Sequence, residues 1–216
     1  MNFLKIIGKF FAGLFVLLGI TVLIMSYFGS YAVNNFSILE GDLNNQTLDL
    51  ISRSAGMNAR QVQDYCNQNR NDENCKIISQ NPITERIKQE INSFKYYGSA
   101  MRVIGIIFII LGLLLFVWCS GWIDGLRQAS LLLFIGILFS YIYYKYAIIG
   151  ALDSLLPDEI SSIVSNWATA TINQTLGVIV VFGVIFLILT VLLYILKYRM
   201  KFLKKRTEGK TPGEKR

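Results

Sequence analysis

Long uninterrupted apolar runs alternate with polar stretches along this chain, and four of the runs reach membrane-crossing length. Crossing the ~30 Å hydrocarbon core takes roughly 20 apolar residues in a helix. The first run covers Phe10 to Phe28 and has no charged residue; the second covers Val103 to Trp122 and ends in Trp118 and Trp122. The third covers Ala129 to Ala151 and carries one charge, Lys145, and the fourth covers Leu176 to Leu196. Isolated strands would leave backbone groups unsatisfied in lipid, so all four are predicted to be helices. The pattern therefore predicts an all-α, polytopic membrane protein. Its segments are residues 1–28 with the first span, a cap over 29–99, spans at 100–122 and 129–151 joined by a turn at 123–128, a loop at 152–175, a span at 176–196 and a tail at 197–216.

The polar stretches have structure of their own. Residues 29–99 are too many for an unstructured connection, and helical signals recur along them. Leu48 and Ile51 precede Gly56, a natural helix stop, and Asn58 is placed to cap a segment carrying Val62, Tyr65 and Cys66. Asn81-Pro82 opens a helix with Ile83, Ile87, Ile91 and Phe94 at helical spacing, which continues through Tyr96 and Tyr97 into the second span. In 152–175, Leu156, Ile160, Ile163, Val164 and Trp167 form one apolar face behind Pro157, Asp158 and Glu159, predicting an amphipathic helix.

Charge settles direction. The chain has 21 Lys+Arg against 14 Asp+Glu, a net +7, and residues 197–216 alone hold nine basic and two acidic side chains. Lys5 and Lys9 precede the first span, whereas 152–175 contains acidic residues and no Lys or Arg. The excess of basic residues beside a span marks the cytoplasmic side, so both termini are expected there, with the cap and 152–175 outside and the cell membrane as location. The tail lacks the aromatic interleaving and folded scaffold of a nucleic-acid reader; its expected contact is the lipid bilayer. Lys5, Lys9 and Ser30-Tyr31-Ala32 also leave open a cleaved signal peptide in place of the first span, although the apolar run exceeds the ~7–15 residues of such a core. Three Asn-x-Ser/Thr sequons, at Asn35, Asn45 and Asn173, fall in the segments read as outside; Asn45, farthest from a span, is the candidate for glycosylation.

Cys66 and Cys75 frame a short polar stretch and are predicted to form a disulfide, since an outward thiol pair oxidises and a small cap has little core. Within the spans, small residues recur at sevens: Ala12, Gly19 and Ser26; Gly98, Gly105, Gly112 and Cys119; Ala129 and Gly136; Gly183 and Thr190. A seven-residue period keeps a seam facing its neighbour in a left-handed supercoil, and small side chains let backbones approach. A left-handed four-helix bundle is the expected architecture.

Candidate chemistry is sparse. The chain has no His, and no phosphate-binding loop, nucleophile elbow or His-Glu-x-x-His motif is present. No enzymatic activity, metal or cofactor is predicted. Ionisable residues in or beside spans are functional candidates: Arg102 and Lys145 are those a small transporter or channel would use, while Asp124 and Arg127, three apart, form a local pair. The layout resembles the membrane disulfide-forming oxidoreductases of bacteria in topology only, because Cys-x-x-Cys is missing. It is similar in layout to claudin-like four-span proteins, but Gln63-Asp64-Tyr65 stands where their Gly-Leu-Trp would be. The expectation is a non-catalytic interaction, assembly or scaffold role through the cap, with other membrane proteins or a second copy as partners. A transporter or channel is the alternative, and a thiol oxidoreductase comes third.

Overall fold

The computed structural model describes residues 2–69, 71–72, 75–76, 82–148, 150–151 and 158–208. It is all helical, with no strand among those residues. The elements are α1 (Asn2–Asn34), α2 (Phe36–Ala55), α3 (Ala59–Gln68), α4 (Pro82–Ser120), α5 (Trp122–Ile142), a π-helical turn (Tyr143–Ile148) and α6 (Asp158–Glu208). Among the described residues four helical stretches are long and apolar enough to cross a membrane: Phe3–Asn34, Lys88–Ser120, Trp122–Ile148 and Val164–Leu203. The chain is thus of multi-pass membrane type.

The helices overrun the boundaries that hydropathy suggests. α4 starts at Pro82, whose fixed φ and missing N–H suit the first helical position, and continues without a break to Ser120. Residues 123–128 are not a turn: Gly121 alone turns the chain, at φ 84°, a left-handed conformation open to glycine. α5 begins at the next residue. The largest difference is α6. Segment 152–175 was expected to hold a separate amphipathic helix, and 197–216 a tail, yet Asp158–Glu208 is one helix of 51 residues. Its apolar part, Val164–Leu203, has 40 residues and rises about 60 Å, twice the hydrocarbon thickness. Leu156 and Pro157 of the expected amphipathic helix lie outside the described residues.

The chain divides into two compact units, Met1–Ile24 with Met101–Tyr143 and Gly177–Arg216, and Met25–Ala100 with Tyr144–Leu176. In the first, the buried residues include Ala12, Val16 and Ile20 of α1, Phe116 and Cys119 of α4, Ala129, Leu133 and Ile137 of α5, and Ile179 and Leu193 of α6. Its outward faces are as apolar as its core, with Ile106, Ile110 and Leu114 on α4 and Val180, Val184 and Ile188 on α6 all exposed. A water-soluble unit would not leave such faces open; lipid tails cover them at no cost. In the second unit, Phe36 and Leu39 pack with Leu43, Val164 and Trp167, so the start of α2 is held against the early turns of α6. α3 is fixed by a capping box, in which the Asn58 side chain accepts from the Gln61 N–H and the Gln61 side chain accepts from the Asn58 N–H. Gly56, at φ 65°, ends α2.

Candidate functional site

The small residues spaced by sevens meet one another. On α1 and α4, which run antiparallel, Ala12 lies opposite Gly112 and Gly19 opposite Gly105. A Cβ added to Gly19 would lie 2.7 Å from the Gly105 carbonyl oxygen, and one added to Gly112 would lie 2.8 Å from that of Ala12. Further along the same two helices, in the second unit, the Ser26 hydroxyl donates to the Gly98 carbonyl at 2.6 Å. Gly136 of α5 sits more loosely, its added Cβ 3.2 Å from Leu17 Cδ2, and Gly183 of α6 looser still, 3.4 Å from Ile137 Cγ2. Gly125, at the start of α5, is as tight as the α1–α4 pairs, its added Cβ 2.6 Å from the Phe116 carbonyl oxygen, so close backbone contacts join α1 to α4 and the start of α5 to the end of α4.

Cys119 is a free, buried cysteine. It faces Gly8, where an added Cβ would lie 2.5 Å from its sulfur. A side chain at Gly8 would require the Cys119 sulfur to shift, and Cys119 packs here as a small residue against α1.

A charged cluster lies where α5 begins. Lys197 of α6 donates to Asp124 Oδ1 at 2.6 Å, and Arg127 Nη2 lies 3.4 Å from the same oxygen. The Arg127 guanidinium also sits 4.8 Å from the Tyr194 ring centroid, a cation–π distance. The local pair expected of Asp124 and Arg127 is present, but the shorter contact is to Lys197, 73 residues away. The two side chains of that contact keep about two-fifths of their surface exposed, which limits its net worth to about 1 kcal/mol.

An amide cluster lies in the second unit. Asn35 separates α1 from α2 with φ −89° and ψ 5°, the bridge region in which a helix ends. Its side-chain amide donates to Thr171 Oγ1 and to Gln174 Oε1, both at 3.3 Å, and accepts from Gln174 Nε2 at 3.4 Å. Nearby, Trp167 Nε1 donates to the Ala32 carbonyl at 2.9 Å, and the Thr175 hydroxyl donates to the Thr171 carbonyl at 2.8 Å. Thr171 and Thr175 are fully buried, so these bonds satisfy polar atoms that would otherwise be costly in an apolar setting. None of these side chains titrates. The cluster can hold α6 against the α1–α2 break. Asn35, one of the three sequon residues, is buried here, whereas Asn45 is exposed on α2.

The remaining candidates are scattered. Arg102 is half-buried on α4, between Gly98 and Gly105. Lys145 is exposed in the π-helical turn, with Nζ 5.5 Å from the Tyr146 ring centroid. Cys66 and Cys75 are paired as a disulfide, with Cα atoms 5.1 Å apart. Among the described residues no group of His, Cys, Asp and Glu could hold a metal ion.

Sequence reasoning missed the amide cluster and the Lys197–Asp124 contact. Polar residues at 171, 174 and 175 next to an apolar run were the available signal for the first; in lipid such residues need partners. Comparison with known protein families, with curated proteins and with solved structures finds no match to this chain.

Proposed function

We propose that this protein is a non-catalytic interaction or assembly protein of the cell membrane, and that α2 and α3 form its partner-facing element outside the membrane. The observation that carries this reading is the build of that element. A capping box and a disulfide stiffen it, while Leu50, Met57 and Tyr65 stand exposed on it. Ordering a surface in advance lowers the entropy cost of binding, and exposed aromatic and Met side chains are the usual anchors of protein contacts.

In this reading the four apolar helices cross the bilayer as a left-handed bundle, and residues 29–99 supply a helical cap on the outer side. The seven-residue spacing of small residues supports the handedness. The basic residues at Lys5, Lys9 and 197–206 support a cytoplasmic place for both chain ends. Photo-crosslinking amino acids at Leu50, Met57 and Tyr65 in native membranes test the partner-facing role. Discrete protein adducts from these positions, absent from a probe at Ile110 on a lipid-covered face, are the expected result. Lipid adducts alone, with a monomeric protein free of companions in mild detergent, would contradict it.

A second reading, a small transporter or channel, rests on the half-buried Arg102 and on Lys145 in a π-helical turn, a distortion frequent at functional sites. Flux into reconstituted vesicles that falls with Arg102→Ala or Lys145→Ala would favour it; flux that neither change alters removes its basis.

A further inference from the structure

A groove of about 530 Å³ runs along α1 in the first unit, its lining including Lys9, Gly13, Leu17 and Thr21 of α1, Phe116 of α4 and Leu132 of α5. These four α1 residues fall on one i, i+4 row, the ridge direction of a helix surface, with Phe10, Leu14 and Leu18 on the row beside it, and Lys5 extends the first row by one more turn. Gly13 interrupts the ridge, so the groove floor at that point is bare backbone. Lys9 to Thr21 rises about 18 Å, close to the ~15 Å depth of one bilayer leaflet. Charge is confined to one end of the groove. At the other end the Thr21 hydroxyl is already spent on the Leu17 carbonyl at 2.9 Å, leaving that end no free donor for a polar ligand.

The charged end is positive. Asp124 is taken by Lys197 at 2.6 Å and by Arg127 at 3.4 Å. Lys9 is near enough to act on the Asp124 charge yet forms no ion pair with it or with any other described residue. Three cations, Lys9, Arg127 and Lys197, thus share one carboxylate at the level where a lipid headgroup must lie if the groove holds a chain.

We propose that this groove is a binding site for one anionic phospholipid, its acyl chain laid along Gly13, Leu17 and Thr21 and its phosphate received by Lys9. Length, apolar lining and a positive charge at one end together match that occupant. A zwitterionic lipid fills the groove equally well but gains less at Lys9.

Native mass spectrometry of the full chain in mild non-ionic detergent tests the site, with dipalmitoyl phosphatidylglycerol and dipalmitoyl phosphatidylcholine titrated separately. The expected result is one retained phosphatidylglycerol, bound in preference to phosphatidylcholine. Lys9→Gln should weaken phosphatidylglycerol about five-fold, the effect of one basic residue at the headgroup, and weaken phosphatidylcholine by less, so that the preference shrinks. Gly13→Leu should weaken both lipids, because its first side-chain carbon has room at 3.5 Å from Leu132 Cδ2 while the rest of the side chain fills the groove. Unchanged melting temperatures for both variants establish that the fold is intact. Equal retention of the two lipids by the wild type would overturn the proposal. So would loss of the preference only when Lys201, Lys204 and Lys205 are changed to Gln, or a dimer that Gly13→Leu dissociates.

Discussion

Gly19 and Gly105 meet backbone to backbone: a methyl group on Gly19 would lie 2.7 Å from the Gly105 carbonyl oxygen, and one on Gly105 would lie 2.9 Å from that of Gly19. Neither obstacle is a side chain that can rotate away. Gly19→Ala and Gly105→Ala are therefore each expected to destabilise the protein by about 1–3 kcal/mol, despite the better helix propensity of Ala. Gly183→Ala, whose added carbon meets only Ile137 Cγ2 at 3.4 Å, should be neutral or slightly stabilising. Unfolding in mixed detergent micelles separates the two behaviours; equal effects at all three positions would show that α1 and α4 are not in close backbone contact.

The Lys197–Asp124 contact should contribute little. Both side chains are about two-fifths exposed, and such pairs couple by about 0.2–1 kcal/mol. A double-mutant cycle with Asp124→Asn and Lys197→Gln should return a coupling in that range, falling as salt is raised. A coupling of several kcal/mol, insensitive to salt, would mean that the pair is more deeply enclosed than this geometry allows.

Removing one member of the amide cluster should cost more than its hydrogen bonds alone are worth. Asn35→Leu leaves Gln174 without its reciprocal partner and removes a donor from the fully buried Thr171. A loss of about 1–3 kcal/mol is expected. Asn35→Leu combined with Gln174→Leu should lose less than the sum of the two single changes, because neither amide is then left without the other. Simple additivity would contradict the bonding described.

Reducing the disulfide should loosen α3 and leave the spans in place. Cys66 and Cys75 are nine residues apart, and closing so short a loop is worth about 2–3 kcal/mol in the chain-entropy account. Cys66→Ser with Cys75→Ser should expose the α3 region to limited proteolysis, with α1, α5 and α6 remaining protected. Unchanged cleavage in the double variant would show that the staple carries no stability there.

Hydropathy made the four crossings legible because lipid imposes a length that few other settings demand. The α1–α4 seam was legible for a related reason: Ala12, Gly19 and Ser26 keep the same seven-residue step as Gly98, Gly105 and Gly112, and antiparallel helices place equal steps face to face. The continuity of α6 was not. Ala168 to Thr175 contains three Thr, an Asn and a Gln, a composition that reads as loop until Thr171 and Thr175 are seen buried, the Thr175 hydroxyl bonded to its own helix. The π-helical turn at Tyr143–Ile148 has no Pro or Gly to announce it. Asp124 was read with Arg127 because sequence shows only near neighbours; Lys197 comes from a helix packed alongside.

The topology is tested most directly by labelling single cysteines with a membrane-impermeant maleimide in intact cells and again after permeabilisation. The positions are Lys5→Cys before the first crossing, Gln63→Cys on α3 and Lys201→Cys after the last, in a background with Cys66, Cys75 and Cys119 changed to Ser. Four crossings with both chain ends in the cytoplasm predict that the cysteine at 63 reacts in intact cells and those at 5 and 201 react only once the membrane is opened. Labelling of 5 and 201 on opposite sides, or of 201 in intact cells, would contradict that account.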